Sequence, residues 1–108
     1  MILSMKTLSA SDLQMFLNDK RCLLIDVREE EEWADGHIEG ATHAPLSNFM
    51  RFAPIIIEKQ QETDAVIFYC KGGVRSTRAI EFLESTYGTN DKYYNLEDGY
   101  VGYFETIG

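Results

Sequence analysis

The sequence predicts an α/β fold: a central parallel sheet of about five strands with helices on both faces. Two observations carry this expectation. Residues 23–27 (Leu-Leu-Ile-Asp-Val) and 65–69 (Ala-Val-Ile-Phe-Tyr) are short, nearly continuous apolar runs, the composition of strands buried on both faces. Between and after them come segments with apolar residues at helical spacing, and strands alternating with helices over short connections pack as a parallel sheet. At 108 residues the chain falls in the usual size range of one domain, expected to span residues 1–108.

Ser9 opens the first helix as a cap with Asp12 three positions on, and Leu13, Phe16 and Leu17 then share one face. The strand at 23–27 follows. Residues 29–33 are acidic and helix-permissive, ending at Gly36, and residues 41–44 read as a strand stopped by Pro45. Leu46, Phe49 and Phe52 lie at helical spacing, and residues 55–57 (Ile-Ile-Ile) read as a second helical piece with Pro54 in its first turn. Together they supply the crossover that a parallel strand at 65–69 requires. From Ser76 the pattern is helical again, with Ala79, Ile80, Leu83 and Tyr87 on one face and Gly88 placed to end it. Residues 92–96 form the last strand and 99–107 a terminal turn or helix.

Composition narrows the function classes. Apolar residues make up 44% and charged residues 26%, which excludes disordered and membrane-spanning chains. The formal net charge of −8 repels polyanions, so no nucleic-acid partner is expected. No membrane partner is expected either, because no apolar run approaches spanning length and residues 1–6 lack a signal-peptide pattern. Cys22 and Cys70 are too few for a disulfide framework, and no Cys/His spacing resembles a zinc site, so no metal or cofactor is expected. A reducing, cytoplasmic setting fits this usage of cysteine.

The chemistry concentrates in Cys70-Lys71-Gly72-Gly73-Val74-Arg75-Ser76, between the apolar strand and the following helix. In open α/β sheets ligands bind outside the carboxyl ends of strands, which is where Cys70 falls. Gly72 and Gly73 free the backbone to turn successive N–H groups inward as an anion-holding nest, and the helix start adds unpaired N–H groups and the positive end of its dipole. These effects favour a thiolate at Cys70, the nucleophilic form. Lys71, Arg75 and Arg78 make this a cationic spot on an acidic chain. An inert, buried strand-end cysteine is the plainer reading, but it leaves the glycines, the cations and the helix start unexplained. Cys22 has no such surroundings and reads as packing, or as a resolving thiol.

Other polar residues read mainly as structure. Arg28 and Glu32, four apart, are expected to pair. Asp26 ends a central strand and either supports the loop or bonds to a neighbouring turn. His37 reads as a turn residue bonded locally, and a metal shared by His37 and His43 would need a third ligand that no spacing supplies. Ser76 is placed both to cap the helix and to donate to the Cys70 sulfur. Tyr93, Tyr94, Tyr100 and Tyr103 read as packing residues with polar tips, with Tyr100 or Tyr103 able to rim a pocket.

From about Thr7 to Phe104 the chain resembles the rhodanese family. Three blocks carry the resemblance: Asp26-Val-Arg28 with Glu32-Trp33 and Gly36-His-Ile-Glu-Gly-Ala41; the loop from Cys70 to Ser76; and Asn95-Leu-Glu-Asp-Gly-Tyr100. The sequence departs from the family at Tyr103, often Trp in relatives, and at Asp98, where glycine is common. The resemblance implies a sulfurtransferase: Cys70 accepts a sulfane sulfur from a small anionic donor such as thiosulfate, holds it as a persulfide, and passes it to a thiol, cyanide or a protein thiol. The residues from Lys71 to Ser76 then bind substrate, with Lys71 and Arg75 near the sulfonate oxygens.

Cysteine phosphatases of the same fold type place five residues between Cys and Arg, whereas four (Lys71 to Val74) stand here. The smaller ring suits one added sulfur atom. Sulfite, moreover, leaves as a stable anion without the general acid that an alkoxide requires. The alternatives are a noncatalytic or redox-regulatory binding module of the same type, and a cysteine-dependent phosphatase or arsenate reductase.

Overall fold

The computed structural model describes residues 5–107; of residues 1–6, read as lacking a signal-peptide pattern, 1–4 lie outside them. Five strands form one all-parallel sheet: β1 (Lys6–Leu8), β2 (Cys22–Asp26), β3 (Thr42–His43), β4 (Ala65–Tyr69) and β5 (Tyr93–Leu96), in the order β1-β5-β4-β2-β3. The helices are α1 (Ala10–Asp19), α2 (Glu30–Ala34), α3 (Phe49–Lys59), α4 (Arg75–Tyr87) and α5 (Gly99–Ile107). The expected α/β class with a parallel sheet is what is found.

β4 is buried at all five residues, as its uninterrupted apolar run requires. Its side chains divide between two cores. Val66 and Phe68, with Cys70 just beyond the strand, pack with Phe49, Ala53 and Ile56 of α3 and with Ala79, Ile80 and Leu83 of α4. Ile67 and Tyr69 face the other way, onto Leu13 of α1, Leu8 and Leu96, with Tyr100 and Tyr103 of α5 against them. Each fully buried aliphatic side chain contributes about 1.5–3 kcal/mol relative to exposure, so the two helix pairs clamp β4 from both faces.

Helix boundaries follow the sequence chemistry. Ser9 Oγ accepts from the Asp12 N–H at 3.3 Å, as a cap should. Gly88 takes φ 103° and donates to the Glu84 carbonyl, ending α4. α2 starts with a reciprocal capping box between Glu29 and Glu32.

Three expectations are corrected. The edge strand β1 was not anticipated: of Lys6, Thr7 and Leu8 only Leu8 is buried, so no apolar alternation marks it. The crossover before β4 is a 3-10 turn at Leu46–Asn48 and then one continuous helix, α3, rather than two pieces divided at Pro54. Pro54 sits inside α3 with its ring exposed, and the bond it cannot donate would go to the carbonyl of Met50, itself on the solvent side. Water can satisfy that carbonyl while Phe49, Ala53 and Ile56 stay in the core. Finally, α4 begins at Arg75, with no side-chain cap at Val74. Among the described residues no helix is long and apolar enough to cross a membrane.

The strand order opens a crevice at the carboxyl ends of the strands. From β2 the chain moves outward to β3, then returns past β2 to β4 and continues the opposite way to β5. Connections leaving the carboxyl ends of β2 and β4 therefore diverge, and the crevice between them is where such sheets bind ligands. Cys70 and residues 27–29 lie at that point.

Leu83→Ala empties a fully buried position of α4 and is expected to lower the urea-unfolding free energy by about 2–5 kcal/mol. Met50→Ala, at a site 74% exposed, is expected to change it by no more than about 0.5 kcal/mol.

Candidate active site

Cys70 follows directly on β4 and is 1% exposed. The loop that leaves it turns back so that the Gly73 N–H donates to Cys70 Sγ at 3.1 Å, and Ser76 Oγ lies 3.5 Å from the same sulfur. Burial pushes the thiol up. The backbone N–H groups of Ser76, Gly73 and Gly72 favour the charged form against that burial, and the thiol titrates below its ordinary value. The N–H groups turned towards the sulfur come from the glycine-containing turn and the helix start.

The two loop glycines are not equivalent. Gly73 has φ 100°, and a Cβ there would stand 2.3 Å from the Glu97 carbonyl oxygen. Gly72 lacks a positive φ and has open space where a Cβ would go. The conformational freedom expected of both is needed at Gly73 alone. A third glycine, Gly99, completes the arrangement: at φ 60° its missing Cβ would fall 2.5 Å from Lys71 O and 2.6 Å from Cys70 O. That contact lets the first N–H groups of α5, from Tyr100 and Val101, donate to the carbonyls of Cys70 and Lys71 at 2.8 and 3.1 Å.

Arg75 is placed differently from the sequence-based expectation. Its guanidinium makes a two-pronged pair with Glu32 of α2, at 2.7 and 2.8 Å, and this pairing occupies the fork that was expected to meet sulfonate oxygens. Arg75 therefore anchors the loop to α2. The Arg75 fork holds the Glu32 carboxyl down at about 2. Arg28, expected to pair with Glu32, instead meets Asp26 at 2.9 Å, donates to the Gly36 carbonyl at 2.6 Å, and lies over the Tyr100 ring at 4.2 Å. Asp26 also accepts from the Arg28 backbone N–H at 2.8 Å, so it organises the turn after β2. Both Asp26 and Arg28 are buried.

Lys71 remains exposed and lines a cleft of about 610 Å³ with Gly72, Asp98, Val101, Gly102, Glu105 and Thr106. Val74, 66% exposed, forms the outer tip of the loop. Ser76 does not cap α4; its hydroxyl meets Asn95 Oδ1 at 2.5 Å, and Asn95 Nδ2 donates to the Gly73 carbonyl at 3.1 Å. His37 bonds locally to the Trp33 carbonyl at 3.2 Å, as its turn position suggested. His37 and His43 also stack on Trp33, with ring centroids 3.5 and 4.6 Å away.

Cys22 is not a resolving thiol for Cys70. It pairs with Ala65 at the opposite end of β4, five residues before Cys70. At about 3.3 Å per residue the two Cα atoms are roughly 16 Å apart, whereas a disulfide needs less than about 7 Å.

Sequence reasoning passed over Asn95 as a site residue, the Glu32–Arg75 pair and the need for Gly99. Asn95 and Gly99 come to the loop from 25 and 29 residues beyond Cys70, and Glu32 from 43 residues before Arg75. No local spacing signals such contacts.

Gly73→Ala is expected to cost about 1–3 kcal/mol of stability and to raise the Cys70 pKa, read as slower iodoacetamide alkylation at neutral pH. Gly72→Ala is expected to leave both near wild type, and equal effects at the two glycines would contradict the cradle described. For Glu32 the folded pKa of about 2 lies below the ordinary 4.5. Its pairing therefore stabilises the fold above about pH 4.5 and is lost as pH falls towards 2. Glu32→Gln is expected to be less stable at pH 7 and to show a shallower loss of stability across that acid window in denaturant titrations.

Comparison with known proteins extends these observations. The family described as "Rhodanese-like domain" matches residues 9–106. A tRNA uridine(34) hydroxylase of Chlamydia pneumoniae is 32% identical over 109 residues, an alignment covering 95% of this chain and 32% of that protein. The chain thus spans under a third of the length of that curated relative. A rhodanese-like domain protein of Staphylococcus aureus superposes with a TM-score of 0.72 at 28% identity, covering 91% of this chain and 90% of the other. A thiosulfate sulfurtransferase of Pseudomonas aeruginosa shares the fold, with a TM-score of 0.71 at 16% identity over 94% of this chain and 18% of that one.

Proposed function

The chain belongs to the rhodanese-like domain family, and on that footing we propose that it is a sulfurtransferase working through a persulfide on Cys70. The observation that carries this reading is a buried thiol held by the Gly73 N–H at 3.1 Å inside a loop with only four residues between Cys70 and Arg75. Such a ring accommodates one extra sulfur atom more readily than a tetrahedral phosphoryl group.

In the first half of the cycle the Cys70 thiolate attacks the outer sulfur of a donor such as thiosulfate. The donor S–S bond breaks and sulfite leaves with the electron pair. Lys71, exposed at the cleft beside the loop, replaces Arg75 as the side chain available to the sulfonate. In the second half a thiol, cyanide or a protein thiol attacks the outer persulfide sulfur and the Cys70 thiolate is regenerated. The loop N–H groups that favour thiolate also favour the persulfide anion. Both cysteines are free, which fits a reducing, cytoplasmic setting.

A second reading is favoured by the 32% identity to a tRNA uridine(34) hydroxylase: the Cys70 loop serves modification of a tRNA uridine. The net charge of −8 argues against this chain gripping an RNA backbone by itself.

Intact-mass measurement after incubation with thiosulfate is expected to show a gain of one sulfur, with sulfite released, and Cys70→Ser is expected to abolish both. No gain and no sulfite would overturn the sulfurtransferase. A loss of hydroxylated uridine in tRNA from cells carrying only Cys70→Ser would favour the second reading.

A further inference from the structure

Beneath the Cys70 loop the hydroxyl of one buried side chain lies within reach of two others. Asn95 of β5 is 5% exposed, and its Nδ2 donates to the Gly73 carbonyl at 3.1 Å. A carbonyl oxygen only accepts, so this bond sets the orientation of the amide. Asn95 Oδ1 is then the atom that meets Ser76 Oγ at 2.5 Å. An amide oxygen carries no hydrogen, so the Ser76 hydroxyl is the donor. The same hydroxyl lies 3.5 Å from Cys70 Sγ. While its proton is on Asn95 it offers the sulfur only lone pairs, which suit a thiol S–H and oppose a thiolate.

We propose that Asn95 is a positioning residue that competes with the Cys70 sulfur for the Ser76 proton and so sets how readily Cys70 takes on negative charge. Its consequence for turnover rests on the sulfurtransferase reading. In the persulfide the charge lies on the outer sulfur, and the inner one makes no claim on the hydroxyl. At discharge the acceptor thiolate bonds to the outer sulfur, the S–S bond breaks, and the electron pair leaves on Cys70 Sγ. That nascent thiolate needs the proton Asn95 retains. Asn95 thereby makes Cys70 a poorer leaving group and prolongs the loaded state.

The charged groups around this triangle are Arg75 with Glu32 of α2, and Lys71 with Asp98 and Glu105 of the cleft. All are unchanged in Asn95→Leu, which removes the amide acceptor while filling its space.

The test is the pH dependence of iodoacetamide alkylation, read by mass spectrometry on the Cys70 peptide in the intact chain with no sulfur donor present. Asn95→Leu is expected to lower the midpoint by about one pH unit, the size of one hydrogen bond to a charged group. Adding Ser76→Ala is expected to erase that shift, and Ser76→Ala alone to stay within about 0.3 unit of wild type. A folded Asn95→Leu with an unchanged or raised midpoint overturns the proposal, because Asn95 would then only clamp Gly73. If Asn95→Leu does not fold, Ser76→Ala decides: a rise of about one unit means that Ser76 already donates to sulfur and overturns it, while an unmoved midpoint supports it. Shifted midpoints without sulfur uptake from thiosulfate would leave the competition standing and remove the sulfurtransferase.

Discussion

A Cβ on Gly73 would stand 2.3 Å from the carbonyl oxygen of Glu97, and one on Gly99 2.5 Å from that of Lys71. The loop after β4 and the turn after β5 therefore touch backbone to backbone, and this approach organises the crevice. Because the two strands are neighbours in one parallel sheet, their carboxyl ends emerge side by side. Because two glycines permit contact, the first N–H groups of α5 reach the carbonyls of Cys70 and Lys71. The loop carbonyls are thus held from outside while its N–H groups stay turned towards sulfur, the arrangement an anion nest requires.

Charge is used sparingly around that nest. The chain is strongly acidic, yet the two arginines nearest the crevice are both matched, Arg28 by Asp26 and Arg75 by Glu32. Such pairs need good geometry to offset desolvation, and both have it: each arginine donates more than once to its carboxylate. Their effect is positional, joining the turn after β2 and helix α2 to the rest of the site. The field at the sulfur is left to backbone dipoles, which are fixed by the fold and do not screen with salt as surface charges do.

Much of this was legible in the chain. The uninterrupted run of β4 and the 3.6-residue spacing of α4 are local patterns, and they sufficed to put Cys70 at a strand end before a helix. Gly88 and Ser9 announced their helix ends in the same way. What stayed hidden is non-local. β1 is too short and exposed to carry a period, and it exists because β5 offers it an edge. Pro54 signalled a break that α3 does not make, since tertiary packing of Ile56 overrides one missing hydrogen bond on the solvent side. Arg75 was readable as a loop cation, but its engagement by Glu32 depends on where α2 is laid across the sheet, and nothing within a few residues of either encodes that.

The separation of the two cysteines has a further meaning. Cys22 and Cys70 occupy opposite ends of the same sheet, with the length of β4 between them. A protein with a second thiol in reach can discharge a sulfur-loaded cysteine by closing a disulfide on itself. Cys22 offers no such internal exit. On the proposed chemistry, loaded Cys70 cannot unload onto Cys22, so the stored sulfur waits for an acceptor from outside this fold while the groups beneath the loop govern how readily it leaves.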